Sequence, residues 1–113
     1  MDGLIIKKER CNNIFAGKKI EVRSSNTQKR GRFAIIQSGS GKIVGDAFLT
    51  HTVKIRDEEH FKILRHMHHI PGRMEDLKYK NVWGWNLVSV YRYEKPIPYT
   101  HPQGAVIWVK NVL

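Results

Sequence analysis

Gly17-Lys18-Lys19-Ile20-Glu21-Val22-Arg23 is the stretch on which the reading of this chain turns. From Lys19 to Arg23 charged and apolar side chains alternate, with Lys19, Glu21 and Arg23 on one side and Ile20 and Val22 on the other. A period of two belongs to a half-buried strand, here with its charges facing outward. Just upstream, Cys11, Ile14 and Phe15 recur at helical spacing between Lys7 and Ala16. Gly17 suits the position after a helix end, where the backbone turns left-handed. A short helix therefore hands over to a strand within a few residues.

Working outward, Leu4-Ile5-Ile6 reads as an opening strand and the polar run Ser24 to Arg30 as a loop. Arg32 to Gln37 reads as a strand, Ser38-Gly39-Ser40-Gly41 as a turn, and Ile43 to Ile55 as a second long strand bent at Gly45. Asp57 is a helix N-cap with Glu58 and Glu59 in the first turn, and Phe61, Leu64, Arg65 and Met67 carry that helix to about His68, before Pro71-Gly72. Trp83 to Tyr93 is the longest strand-like run, and Pro96 and Pro98 are expected to break it because neither can donate to a ladder. Ala105 to Val112 closes the chain as a last strand. Five or six strands and two short helices, in no regular alternation, argue against a doubly wound parallel sheet. The expectation is a mostly β (α+β) single domain over residues 1–113, built as a small closed or nearly closed β-barrel, which removes exposed edges.

The 113 residues carry 20 Lys and Arg against 10 Asp and Glu, a formal charge of +10. A domain of this size cannot hide that excess, so its surface attracts polyanions. The apolar fraction of 41% is too high for a disordered tail. No apolar run approaches the ~20 residues of a membrane helix, and no basic amphipathic helix with a large apolar face is evident, so no membrane partner is expected. Met1-Asp2-Gly3-Leu4 does not open a signal peptide, and the lone Cys11 makes no internal disulfide; both point to a cytoplasmic protein. No cofactor and no metal are expected. His60, His66, His68 and His69 cluster around the second helix, but with no partner cysteine they read as a solvated helix end.

Glu21 and Arg23, two apart on a strand, are same-face neighbours, so the carboxylate can orient the guanidinium. An oriented guanidinium addresses a phosphate in bidentate fashion. Arg30 and Arg32 add cations at the start of the next strand, and together these residues can line one cleft. Most of the aromatics read as core. Trp85 and Tyr93 lie eight residues apart on one strand face, so one of them can reach the cleft and stack on a base.

A helix followed by Lys18-x-x-Glu21-x-Arg23 on a strand, with Arg30-Gly31 opening the next, resembles the ASCH domain, a relative of the PUA domain. Ile43-Val44-Gly45, Trp83-Gly84-Trp85 and Pro96-Ile97-Pro98 before Gly104 to Trp108 extend the resemblance over nearly the whole chain. The family's glycine stands two residues before the motif lysine; here Ala16 holds that place if Lys18 is the lysine. Taking Gly17 as the match makes Lys19 the lysine, one residue too close to Glu21; the spacing to Glu21 and Arg23 favours Lys18.

The resemblance implies a PUA-like pseudo-barrel whose cleft takes RNA or a nucleotide. The nucleic-acid-binding residues would be Lys18, Lys19, Glu21, Arg23, Arg30, Arg32, Trp85 and Tyr93. Members differ in activity: some bind nucleic acid, one group deacetylates acetylated cytidine, and some have been linked to RNA cleavage, so fold alone leaves the chemistry open. If the chain is an enzyme, the catalytic residues would be Lys18, Glu21 and Arg23. The deacetylases carry threonine where this chain has Glu21 and use a glutamate near the start of the second helix, a place Glu58 or Glu59 would fill. A metal-independent ribonuclease would draw on Lys18, Arg23, His51 and Tyr93.

Overall fold

A computed structural model describes residues 1–113. The order is β1 (Gly3–Ile6), α1 (Lys8–Phe15), β2 (Ile20–Arg23), β3 (Gly31–Gln37), β4 (Lys42–Lys54), α2 (Glu58–Ile63), α3 (Arg65–His68), a 3-10 turn (Met74–Leu77), β5 (Trp83–Pro98) and β6 (Trp108–Val109). The six strands form one mixed sheet in the order β2-β5-β4-β3-β1-β6. Only β1 and β3 run parallel, with Leu4 opposite Ile35.

The sheet is not a barrel. β2 and β6 are its two edges and do not pair. The outer side of β1 is already taken by β6, through Gly3 opposite Val109 and Leu4 opposite Trp108, and by the bond from the Ile5 N–H to the Ile107 carbonyl. What spans the remaining seam is side chain to backbone: Arg23 Nη1 donates to the Ile5 carbonyl at 3.3 Å, and Arg10 Nη1 donates to the Val22 carbonyl at 3.1 Å. Two guanidinium groups thus stand where a closed barrel has a strand ladder.

The helical region between β4 and β5 also differs from the single helix expected there. Leu64 leaves helical geometry at ψ 1° and divides it into α2 and α3. Asp57 does cap α2, accepting from the His60 N–H at 2.8 Å. The prolines do not end β5, which pairs with β4 as far as Lys42 opposite Pro98. β2 covers the other side of β5 only from Trp83 to Asn86, so Pro96 and Pro98 sit on an edge where no ladder donor is needed. The last strand shrinks to two residues.

Side chains on both sides of the sheet are buried. Leu4, Ile6, Phe33, Ile35, Leu49, Trp85 and Leu87 pack with Cys11 and Ile14 of α1. Ile20, Val22, Ile55, Phe61 and Val82 form a second cluster under α2 and α3, and Ala34, Ile36, Ile43 and Val109 form a third. Gly45 permits the bend of β4 against α1: a Cβ there would lie 2.3 Å from the Tyr91 carbonyl oxygen and 2.7 Å from the Phe15 ring.

Candidate anion-binding site

The alternation of β2 is present, but its charged face points inward. Ile20 and Val22 enter the second cluster, while Glu21, opposite Trp85, is wholly buried on the side covered by α1. A strand with a helix packed on each face buries both sets of alternating residues. Gly17 turns left-handed at φ 114° after α1, and the Lys19 backbone bonds to the Met67 carbonyl on one side and the Leu87 N–H on the other. That anchoring delivers Lys18 into the interior, where Nζ donates to Glu21 Oε1 at 2.8 Å. Lys18 is 2% exposed and Glu21 0%.

The second carboxylate oxygen faces two guanidiniums: Arg23 Nη1 at 3.5 Å and Arg10 Nη1 at 3.9 Å. Burial acts to lower the Arg10 guanidinium, but Glu21 and the Tyr79 hydroxyl outweigh it and raise Arg10 above its ordinary value. Arg23 lies 5.4 Å over the Trp85 ring, which stacks in turn on Trp108 at 6.0 Å, and Trp85 Nε1 donates to the Ser25 carbonyl at 3.0 Å. Both guanidiniums are therefore held on several sides. Three cations against one carboxylate leave two positive charges uncompensated. They face a recess of about 230 Å³ lined also by Lys7, Ser24, Ser38 and Tyr79. Oriented, partly desolvated guanidiniums beside hydroxyls make a seat for an oxyanion.

No family model matches the sequence, and no curated protein resembles it in sequence. Solved structures do match it. The crystal structure of ASCH from Zymomonas mobilis superposes with a TM-score of 0.66 at 17% identity, covering 86% of this chain and 72% of that one. Two substituted forms of the same protein match with TM-scores of 0.63 at 17% identity and 0.66 at 15% identity. The first covers 86% of this chain and 74% of that one, the second 96% and 85%.

The fold is that of an ASCH domain.

Within this ASCH fold Lys18 is the lysine that reaches Glu21, while the Lys19 side chain is exposed. Arg30 is also exposed, bonding to the Thr27 and Lys29 carbonyls and Thr52. Arg32 belongs to a different cluster: it pairs with Asp46, to which the Tyr93 hydroxyl also donates at 2.6 Å. Burial and Asp46 push the Tyr93 phenol up to about 12. Trp85 and Tyr93 do not share a face. An irregularity at Val88-Ser89, with Ser89 at φ 49°, shifts the alternation by one, so Val90 rather than Ser89 packs on the Leu87 side. Trp85 reaches the site as a floor under Arg23; Tyr93 faces away.

Arg10 and Tyr79 were not singled out from sequence. Arg10 precedes Cys11 at the buried edge of α1, the one local sign that its side chain turns toward the sheet. Tyr79, after the 3-10 turn, gives no such sign. Other candidates are committed elsewhere. Glu58 accepts the Met74 and Glu75 N–H groups at 2.8 and 3.0 Å, and Glu59 is exposed. His51 is exposed and contacts Thr50. His68 is buried, with Nδ1 accepting from Ile70 and Nε2 donating to the Phe61 carbonyl, while His60, His66 and His69 each contact nearby backbone. Burial, with Glu21 close by, pushes the Cys11 thiol up to about 12, which suits a packed side chain rather than a nucleophile. No helix is long and apolar enough to cross a membrane.

Proposed function

We propose that this chain binds RNA or a nucleotide, seating a phosphate on Arg10 and Arg23 in the recess at the seam of the sheet. The observation that carries the reading is the fully buried Glu21 carboxylate, ringed by Lys18, Arg10 and Arg23, which orients two guanidiniums and leaves them an excess of positive charge. Lys18 and Glu21 are the support, Arg10 and Arg23 the contact, and Lys7 lies at the recess wall. The net charge of +10 brings polyanions to this surface.

Binding is favoured over hydrolysis by the position of the lysine. Its side chain is 1% exposed and bonded to Glu21, so a substrate carbonyl reaches the amine only if that pair opens. Anisotropy titration of a labelled single-stranded RNA tests the reading. Loss of one charge-assisted contact in Arg23→Gln is expected to weaken binding by about 10- to 100-fold. Unchanged affinity in both Arg23→Gln and Arg10→Gln rejects the site. Incubation with acetylcytidine and with total RNA tests the catalytic alternative: turnover that vanishes in Lys18→Ala would replace binding with an enzyme of the same fold.

A further inference from the structure

The recess at Arg10 and Arg23 opens sideways into a second one of about 380 Å³, with Ile5, Ser38 and Val106 common to both walls. Its remaining lining is Gly39, Gly41, Tyr99, His101 and Ala105. The volume suits a base with its sugar, and a mostly apolar wall with a few placed polar atoms is the usual make-up of a small-molecule site. The walls are tied to the sheet: the Tyr99 N–H donates to the Gly41 carbonyl at 3.1 Å, and a turn joins the Ala105 N–H to the Pro102 carbonyl.

The Tyr99 and His101 side chains of this recess have a fixed hydrogen-bond direction. The Ala105 carbonyl can only accept, so neutral His101 presents Nε2–H to it at 3.0 Å. Nδ1 then carries no proton and must accept. The Tyr99 hydroxyl, 2.8 Å from Nδ1, is the donor to it. With its only proton committed, the Tyr99 oxygen can offer a ligand nothing but lone pairs.

Resting on the phosphate-binding reading, we infer that the second recess is a base subsite that selects a nucleobase bearing an exocyclic amine, cytosine or adenine, through the acceptor-only oxygen of Tyr99. A base with a carbonyl at that position, uracil or hypoxanthine, brings an acceptor against an acceptor. Tyr99 is a specificity residue; the affinity common to all four comes from the guanidiniums next door.

The test is a calorimetric titration of the intact chain with CMP, UMP, AMP and IMP. One neutral hydrogen bond is worth about 0.5–1.5 kcal/mol, so CMP over UMP and AMP over IMP are each expected at about two- to tenfold. Tyr99→Phe should bring both ratios to about one, by weakening CMP and AMP and relieving the acceptor-against-acceptor contact of UMP and IMP. His101→Ala frees the hydroxyl proton, lets Tyr99 donate to a carbonyl, and should also lower both ratios. Equal binding of all four, lost in Arg23→Gln, overturns the base subsite and leaves the phosphate site standing. A preference that survives both Tyr99→Phe and His101→Ala overturns it too. No binding of any nucleotide overturns both readings.

Discussion

Glu21 has no exposed surface, and Lys18 Nζ lies 2.8 Å from it with its side chain equally hidden. Two charges removed from water together are tolerable, but either one left alone is costly, about 3–5 kcal/mol. Glu21→Gln is therefore expected to lose about that much stability in urea unfolding, with Lys18→Met in the same background recovering most of it. A loss below about 1 kcal/mol for Glu21→Gln alone would show that the ammonium finds water. Glu21 and Arg23 were legible in sequence because a strand places i and i+2 on one face, and Lys18 through the Lys-x-x-Glu-x-Arg spacing of the resemblance. Arg10 was not, because its ion pair joins a helix to a strand eleven residues on, and no local period encodes how α1 lies on the sheet.

The elements were mostly where local chemistry put them: apolar alternation for β2, apolar, β-branched and aromatic content for β3 and β4, the Asp57 cap for α2, Gly17 after α1. The misses follow from partners that the sequence does not show. The prolines of β5 are harmless because antiparallel β2 begins at Ile20, opposite Asn86, and leaves the rest of β5 uncovered on that side, and the one-residue shift at Ser89 sends Tyr93 to the opposite face from Trp85. At the end of α3, His68 stacks back on Phe61 of α2 with ring centres 4.2 Å apart and bonds to the Phe61 carbonyl and the Ile70 N–H. Burial, only partly offset by the bond to Phe61 and aided by Arg65, Lys18 and His69, lowers its pKa. The unfolded chain, with an ordinary His pKa of about 6.5, then binds the proton more readily than the folded one, so stability from this residue is complete above that pH and falls below it. Thermal unfolding from pH 7.5 down to 5 should show the decline, and His68→Gln should flatten it. An unaltered profile in His68→Gln would place the pH dependence in another group.

For the molecule as a whole, the open seam between β1 and β2 is what turns a basic strand into a site. A closed ladder there would pair the Ile5 and Val22 carbonyls with backbone N–H groups; instead they accept from Arg23 and Arg10, and the guanidiniums line a recess. Binding that is focused there depends on salt in a bounded way. Each phosphate neutralised on a single strand contributes a slope of about −0.7 in log K against log salt. A short RNA seated on Arg10, Arg23 and Lys7 should give a slope between about −0.7 and −2. A flat plot would remove the phosphate contact, and a slope near about −5 would spread it over the general basic surface.

By itself the sequence determined a positively charged, strand-rich chain with Lys19, Glu21 and Arg23 on one strand face and Lys18 just upstream, because composition and the two-residue period are local properties. Tertiary structure decided that Lys18 and Glu21 are buried, that the sheet stays open, and that Arg10, Tyr79 and Trp85 complete the cluster while Arg32 and Tyr93 leave it for Asp46. Those outcomes depend on which layers cover a strand and where its ladder ends. Both are set by contacts between segments far apart in the chain, on which a local pattern carries no information.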